Sequence, residues 1–235
     1  MLAFRNAAFM LFPLAALSLC GGPRRGPHPP PAVAQLGPNM TATANPWITL
    51  GSTRKHEDQY LVVDFDELRH TSGREHPQTA LRFKVQGVAV LPITADGLVY
   101  LIGQFRHVLG RFTWEAIRGS GPISVDPVET AKRELSEETG FEAARWLELL
   151  RLDASPGIST EQAPCYLAWS LAQQGSHPDA QESLRVKRMS FGDGVKAALS
   201  GEIRDAASVA LILALQSRLA TGDLPSDLAE LLRRR

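Results

Sequence analysis

Three glutamates at helical spacing are the residues in this sequence best suited to carry chemistry. Glu134, Glu137 and Glu138 stand at positions i, i+3 and i+4, so their carboxylates share one edge of a predicted helix. Like charges this close repel each other unless a cation compensates for them. Carboxylate oxygens are hard ligands that suit Mg²⁺, together with water and phosphate oxygens. The spacing therefore favours a metal–phosphate site, although a solvated acidic helix face has the same pattern.

The helix that presents these glutamates has start and stop signals. Asp126 is a good N-cap, Pro127 suits the first helical position, and Glu129 stands where a capping box needs an acidic residue. Gly140 is the expected end of the helix. Arg133 lies beside the acidic edge and can hold the cluster in place by ion pairing.

A longer pattern surrounds the acidic edge. Gly119 lies fourteen residues before the segment 133–141, which reads Arg-Glu-Leu-Ser-Glu-Glu-Thr-Gly-Phe. This arrangement resembles the Nudix box, which is a Gly, five residues, a Glu, seven residues and then Arg-Glu-aliphatic-x-Glu-Glu-x-Gly-aliphatic. The segment 133–141 matches at every defined position, but Val125 stands where the first Glu of the box belongs. In the family that Glu supports the loop and the helix start, so its loss bears on loop geometry and on activity.

Further segments are similar to the Nudix branch that cleaves ADP-ribose and related sugar nucleotides. They occur in the order expected for that branch. The segments are Gln104-Phe105-Arg106, Trp114-Glu115, Ser155-Pro156-Gly157 followed by Glu161, and Gly201 to Ala206. The resemblance implies hydrolysis of the diphosphate bond of a nucleoside diphosphate sugar, with ADP-ribose giving AMP and ribose 5-phosphate. Two alternatives stay open, a nucleotide-binding module with weakened catalysis and a nucleoside triphosphate pyrophosphohydrolase.

The resemblance also implies how the metal would be held. Glu134 and Glu138 would bind Mg²⁺, with Mn²⁺ as a possible replacement, and Glu137 would bind directly or through water. The backbone carbonyl of Arg118 would contribute a further oxygen. Arg133 would act in catalysis by keeping the carboxylates in position.

Substrate binding and proton transfer are assigned to residues outside the helix. Arg106, at the end of a predicted strand, suits a charge-assisted contact with phosphate, and its plainer interpretation is a surface ion pair. Ser155 and Gly157 belong to the loop that would contact the substrate. The resemblance places the general base on a loop after the next strand, which makes Glu182 the first candidate and Glu161 the second.

The expected fold is α/β, a Nudix α/β/α sandwich with a mixed sheet and a small N-terminal antiparallel β subdomain. We place the β subdomain at residues 41–84 and the Nudix hydrolase domain at 85–220. Within the first of these, strands are expected on either side of the polar stretch 52–59. Residues 221–235 are expected to form a basic C-terminal helix or tail that is only marginally ordered.

Composition argues against several other classes of protein. The chain carries 25 Lys and Arg against 25 Asp and Glu, so no overall field marks a nucleic-acid binder and we expect no nucleic-acid partner. Its two cysteines, Cys20 and Cys165, exclude a disulfide framework and a cysteine zinc site. The expected partner is a small nucleoside diphosphate sugar. The resemblance also implies a homodimer in which residues 47–83 help to complete the partner's site.

The segment 1–40 is expected to be a separate extension. Its apolar run 7–19 resembles a secretory signal, although Leu19 is large for the position before a lipid-modified Cys20. The run is too short for a confident membrane span, and a proline-rich stretch follows it. We expect either a start at Met40 and a cytoplasmic protein, or export through residues 1–20. A membrane partner is expected only if the apolar run is retained.

Overall fold

The computed structural model describes residues 44–173 and 184–233. The strands in these ranges are β1 (Trp47–Glu57), β2 (Leu61–His70), β3 (Glu75–Phe83), β4 (Val85–Pro92), β5 (Leu98–Arg106), β6 (Arg111–Glu115), β7 (Ile117–Pro122), β8 (Phe141–Asp153), β9 (Gln162–Gln173) and β10 (Arg185–Ser190). The α-helices are α1 (Pro127–Thr139), α2 (Phe191–Ser200), α3 (Ala206–Thr221) and α4 (Ser226–Arg233). None of these helices is long and apolar enough to cross a membrane. The segment 1–40 and the predicted base Glu182 lie outside the described residues.

The first three strands form an antiparallel sheet in the order β1-β2-β3. Charged groups connect its strands, because the Arg82 guanidinium spans the buried carboxylates of Asp64 and Asp66 at 2.8 and 2.6 Å. The predicted N-terminal antiparallel sheet is confirmed. The loop predicted for the polar stretch 52–59 is wrong in part, because β1 continues through it and pairs with β2 as far as Glu57.

Two further sheets form the body of the fold. One has the order β7-β4-β9-β8 and is mixed, since β4 runs parallel to β9 while the other neighbours are antiparallel. The other is antiparallel, in the order β10-β5-β6. The chain passes from the second sheet to the first at Ala116, between β6 and β7. The expected α/β fold with a mixed sheet is confirmed.

Alternate residues of the mixed sheet pack against helices on opposite faces, as the period of a strand requires. On one face Val88, Val90 and Ile117 contact Ala131 and Leu135 of α1. The opposite face packs against the C-terminal helices. That cluster includes Ala89, Leu91, Cys165, Leu211 and Leu228. The mixed sheet therefore lies between α1 and the C-terminal helices.

Helix α1 begins and ends where the sequence indicates. The Asp126 carboxylate accepts a hydrogen bond from the Val128 N–H at 3.1 Å, and Gly140 ends the helix with a φ of 69°. The expected capping box does not form, because the Glu129 carboxylate pairs with Lys132 Nζ at 2.7 Å instead of turning back to the cap.

The C-terminal helix α4 is packed into the core, so the expectation of a marginally ordered segment is wrong. Leu228 and Leu232 of α4 are buried in the main hydrophobic cluster. The Trp169 indole N–H donates to Asp227 Oδ2 at 2.8 Å. The turn before β5 fits tightly against the same helix, since a Cβ at Gly97 would lie 2.5 Å from the Leu231 carbonyl oxygen. The short sequence pattern of this helix does not show these contacts with distant strands.

Replacing Leu228 with Ala tests whether α4 belongs to the core. The Leu228 side chain is fully buried, so Leu228→Ala should lower the free energy of unfolding by about 2–5 kcal/mol through lost burial and a residual cavity. Leu199→Ala is the control, because Leu199 is 72% exposed and its loss should change stability by less than about 0.5 kcal/mol. Urea unfolding of both variants measures the difference, and equal effects would contradict a packed α4.

Candidate active site

The site is built on a close approach between α1 and β7. A Cβ atom added at Gly119 would overlap Cγ and Cδ of Glu134, so the strand accommodates this carboxylate only because position 119 has no side chain. The Glu134 side chain is 12% exposed, and its Oε1 accepts a hydrogen bond from the Ser120 N–H at 3.3 Å. Helix packing thus places one acidic side chain directly against the backbone of β7.

Arg133 connects this carboxylate to its neighbour on the helix. Its Nη2 lies 2.6 Å from Glu134 Oε1 and donates to the Ser120 carbonyl at 3.0 Å. Its Nη1 lies 2.6 Å from Glu137 Oε2. A single guanidinium therefore bridges the two carboxylates and ties both to β7. The arrangement agrees with the expectation that Arg133 holds the acidic edge in place.

Burial and the neighbouring charges act against each other at Glu134. Burial raises the pKa of the Glu134 carboxyl above its usual range, and Arg133 opposes the shift by charge and by hydrogen bonding. Glu137 adds a smaller contribution that raises the pKa further. The charged form of Glu134 is thus costly at this position, and a cation near the edge would stabilise it.

Arg106 is held by an acidic side chain from the neighbouring strand. Its Nε and Nη2 lie 3.0 and 2.6 Å from the two carboxylate oxygens of Glu115, which is only 3% exposed. This bidentate pair raises the pKa of Arg106, and the charges of Asp205 and Glu138 add to the effect. Glu115 therefore orients Arg106, and the negative charge of Glu138 is close enough to act on the guanidinium. The surface ion pair considered from the sequence is in fact a pair with a nearly buried partner.

Sequence reasoning missed a charge pair behind the site. Arg118 of β7 and Asp205, the N-cap of α3, are both mostly buried, with Nη1 4.0 Å from Oδ2. Asp205 also accepts hydrogen bonds from the backbone N–H and the hydroxyl of Ser208, at 2.9 and 2.6 Å. An aspartate directly before an apolar helix is a capping signal, but nothing local connects it to Arg118.

The Ser-Pro-Gly loop lies against the N-terminal sheet. Gln78 of β3 donates to the Gly157 carbonyl at 2.8 Å, and Leu81 donates to the Ile158 carbonyl at the same distance. Ser155 is exposed, and its carbonyl closes the turn by accepting from the backbone N–H groups that follow. Glu161 is half-buried at the end of this loop. None of the contacts found for the described residues joins Ser155, Gly157 or Glu161 to the glutamates of α1.

The donor chemistry of the acidic edge fits a hard divalent cation. Within residues 44–173 and 184–233, no three His, Cys, Asp or Glu side chains are gathered at metal-binding distance. Two of the three helix glutamates, Glu134 and Glu137, instead share the Arg133 guanidinium as their common cation. Their oxygens are the ligand type that Mg²⁺ and Mn²⁺ take.

Comparison with known proteins assigns the family. An ADP-ribose pyrophosphatase from Mycobacterium tuberculosis is 33% identical over 173 residues, covering 72% of this chain and 83% of the relative. The chain belongs to the Nudix ADP-ribose pyrophosphatase family. A second family relative, an ADP-ribose pyrophosphatase from Bacillus subtilis, is 33% identical over 135 residues, or 57% of this chain and 73% of the relative. No protein-family model matches the chain.

A solved structure agrees with the fold of this Nudix enzyme. The crystal structure of an ADP compounds hydrolase superposes with a TM-score of 0.68 at 18% identity, covering 77% of this chain and 98% of that one. At that identity the likeness supports the fold alone. The relatives named above identify the chain as a Nudix-type pyrophosphohydrolase.

A side chain at position 119 should disrupt the site. In Gly119→Ala the new methyl group would displace Glu134, and such misplacement should lower pyrophosphohydrolase turnover by about 100-fold. Gly192→Ala is the matched control, because a Cβ there meets no atom within 4 Å. Steady-state kinetics and circular dichroism on both variants measure the effect. Full activity of Gly119→Ala would contradict the close approach.

Proposed function

We propose that this enzyme hydrolyses the diphosphate bond of a nucleoside diphosphate sugar, with ADP-ribose and water giving AMP and ribose 5-phosphate. The observation that carries the proposal is the acidic edge of α1, where Glu134 is seated against Gly119 and bridged to Glu137 by Arg133. The names of the two relatives described above, both ADP-ribose pyrophosphatases, support this choice of substrate.

We propose that Glu134, Glu137 and Glu138, with the backbone carbonyl of Arg118, hold Mg²⁺ or Mn²⁺. When bound, such a cation supplies Lewis-acid neutralisation of the diphosphate charge. Arg133 keeps two of the carboxylates on one side of the helix and anchors them to the Ser120 carbonyl. The chain thereby presents an acidic edge whose geometry is set before substrate arrives.

Arg106 is suited to bind a phosphate oxygen. A guanidinium carries five N–H donors, and Glu115 engages Nε and Nη2, which leaves donors available on the part of the side chain that is exposed. Because Glu115 fixes the plane of the guanidinium, the remaining donors point in a defined direction. Ser155 and Gly157 would line the sugar end of the substrate from the loop before β9.

The proton released by the attacking water needs a general base. Glu182 remains the first candidate and Glu161 the second, as the family resemblance indicates. The carboxylate that serves would accept the proton while the diphosphate bond breaks and AMP leaves. Replacing each with Gln separately distinguishes them, since only loss of the base should abolish the acidic limb of the dependence of kcat on pH, where protonation of the carboxylate stops the reaction.

The Glu138→Gln variant tests the acidic edge directly. Removing one charge while keeping the side-chain shape should lower turnover of ADP-ribose by about 100-fold or more, with little change in thermal stability. Glu129→Gln is the control on the same helix, because Glu129 pairs with Lys132 on the exposed side and should be dispensable. The prediction fails if Glu138→Gln hydrolyses ADP-ribose near the unmutated rate in the presence of Mg²⁺.

A substrate panel tests the reaction itself. With Mg²⁺ present, ADP-ribose should be hydrolysed faster than GDP-mannose, NADH, diadenosine polyphosphates or nucleoside triphosphates. Preference for nucleoside triphosphates would overturn the proposed substrate class.

The second candidate, a binding module with weakened catalysis, is favoured by Val125, which is 40% exposed in the turn before α1 where the box has Glu. Binding of ADP-ribose without turnover of any compound would support that alternative.

We also propose a cytoplasmic homodimer. Strand β1 exposes Trp47, Ile48 and Leu50, which are apolar side chains of the kind that subunit interfaces cover. Light scattering after size exclusion measures the oligomeric state, and a monomer at micromolar concentration would contradict the proposal. Mass spectrometry of the mature N terminus distinguishes a cytoplasmic protein that starts at Met40 from one exported through residues 1–20.

A further inference from the structure

Strand β7 presents its residues to both faces of the mixed sheet. Ile117 packs on the face covered by α1, and the backbone at Gly119 approaches Glu134 on that same face. Arg118 stands between them and pairs with Ala89, whose side chain belongs to the cluster under the C-terminal helices. Residues paired across antiparallel strands share a face, so the Arg118 side chain lies on the side opposite the acidic edge.

On that opposite face the N-terminus of α3 contacts Arg118 of β7 and Ala116, the residue directly before this strand. The Ala116 N–H donates to Ser208 Oγ at 2.8 Å, and the Ser208 hydroxyl donates to Asp205 Oδ2 at 2.6 Å. Arg118 Nη1 lies 4.0 Å from the same Asp205 oxygen. This Nη1 is buried and makes no hydrogen bond within residues 44–173 and 184–233. Asp205, the N-cap of α3, therefore lies next to Arg118 of β7, the strand that supports the acidic edge.

The Arg118–Asp205 pair has little value as a stabilising interaction. Its side chains are about one-fifth exposed, and the desolvation of such groups offsets much of their attraction. A contact at 4.0 Å without a direct hydrogen bond gains less than a bidentate pair. The pair does lie where β7 and α3 meet, beside the direct hydrogen bond from the Ala116 N–H to Ser208. A lateral shift of β7 would move the Ser120 N–H and carbonyl, which bind Glu134 and Arg133.

We propose that Arg118 and Asp205 are positioning residues that fix β7, and through Ser120 the acidic edge, from the face opposite α1. The inference rests on the proposed function, because it takes the acidic edge to be the cation site of the hydrolase. In this role both side chains act through β7 and not by contact with the substrate. Each acts by setting where Glu134 lies relative to the backbone of β7 at Ser120.

Four variants and two measurements test this inference. Arg118→Met removes the charge and keeps the stem, and Asp205→Asn keeps an acceptor for Ser208 while removing the negative charge. Each should lower kcat about tenfold, leave KM for ADP-ribose within about twofold, and raise the dissociation constant for Mn²⁺ about tenfold. The double variant should be no worse than either single variant, because both remove the same contact. Arg118→Lys should recover part of the loss.

Electron paramagnetic resonance of free Mn²⁺ gives the metal affinity without any substrate. Arg145→Met is the matched control, since Arg145 pairs with Asp227 at 3.6 Å and lies over the Trp169 ring, away from β7. It should lower thermal stability and leave both kcat and Mn²⁺ affinity unchanged. If Arg118→Met behaves like this control, the positioning role is wrong. A rise in KM at constant kcat would also overturn it, because Arg118 would then contact the substrate.

The same measurements separate this inference from the proposed function. If the unmodified chain binds Mn²⁺ but does not hydrolyse ADP-ribose, the proposed substrate is wrong, and the Mn²⁺ affinity of Arg118→Met still decides the positioning role. If the unmodified chain binds no Mn²⁺, both proposals fail. Loss of folding in Arg118→Met would shift the decision to Asp205→Asn, which retains the cap of α3.

Discussion

Glu134 lies so close to β7 that the strand has room only for glycine at position 119. That contact places a carboxylate in a largely buried position, where its charged form is disfavoured. Two neighbouring groups offset this cost by donating hydrogen bonds to the carboxylate: the Ser120 N–H and the Arg133 guanidinium. The acidic edge of α1 is therefore a consequence of how tightly helix and strand pack. Its geometry cannot be changed without repacking both elements.

Strand β7 is short, but it contacts helices on both of its faces. One face of β7 receives α1, and the other is attached to the N-terminus of α3 by way of Ala116 and Arg118. Among the described strands, β7 pairs with β4 alone, at the edge of the mixed sheet. Helices on both faces supply the restraint that a second neighbouring strand would otherwise give. The position of β7 therefore depends on residues that lie far apart in the sequence.

The sequence predicts the parts of this structure that depend on local signals. Helix α1, its cap and its end follow from nearby residues, and the antiparallel N-terminal sheet follows from alternating strands. Strands β7 and β8 were not predicted, because Gly119 to Pro122 has the composition of a turn and β8 shows only weak alternation. Both are strands because of pairing with β4 and β9, which are distant in the sequence. The Arg118–Asp205 contact escaped prediction for the same reason, and the metal and substrate roles came from family resemblance.

The loop that contains Ser155 and Gly157 is joined to the N-terminal sheet by four backbone or side-chain hydrogen bonds to β3. These hydrogen bonds couple the position of the loop to the position of the sheet. The loop that would line the sugar end of the substrate is therefore restrained by the N-terminal sheet. A second subunit that bound the N-terminal sheet would contact the element on which the position of this loop depends.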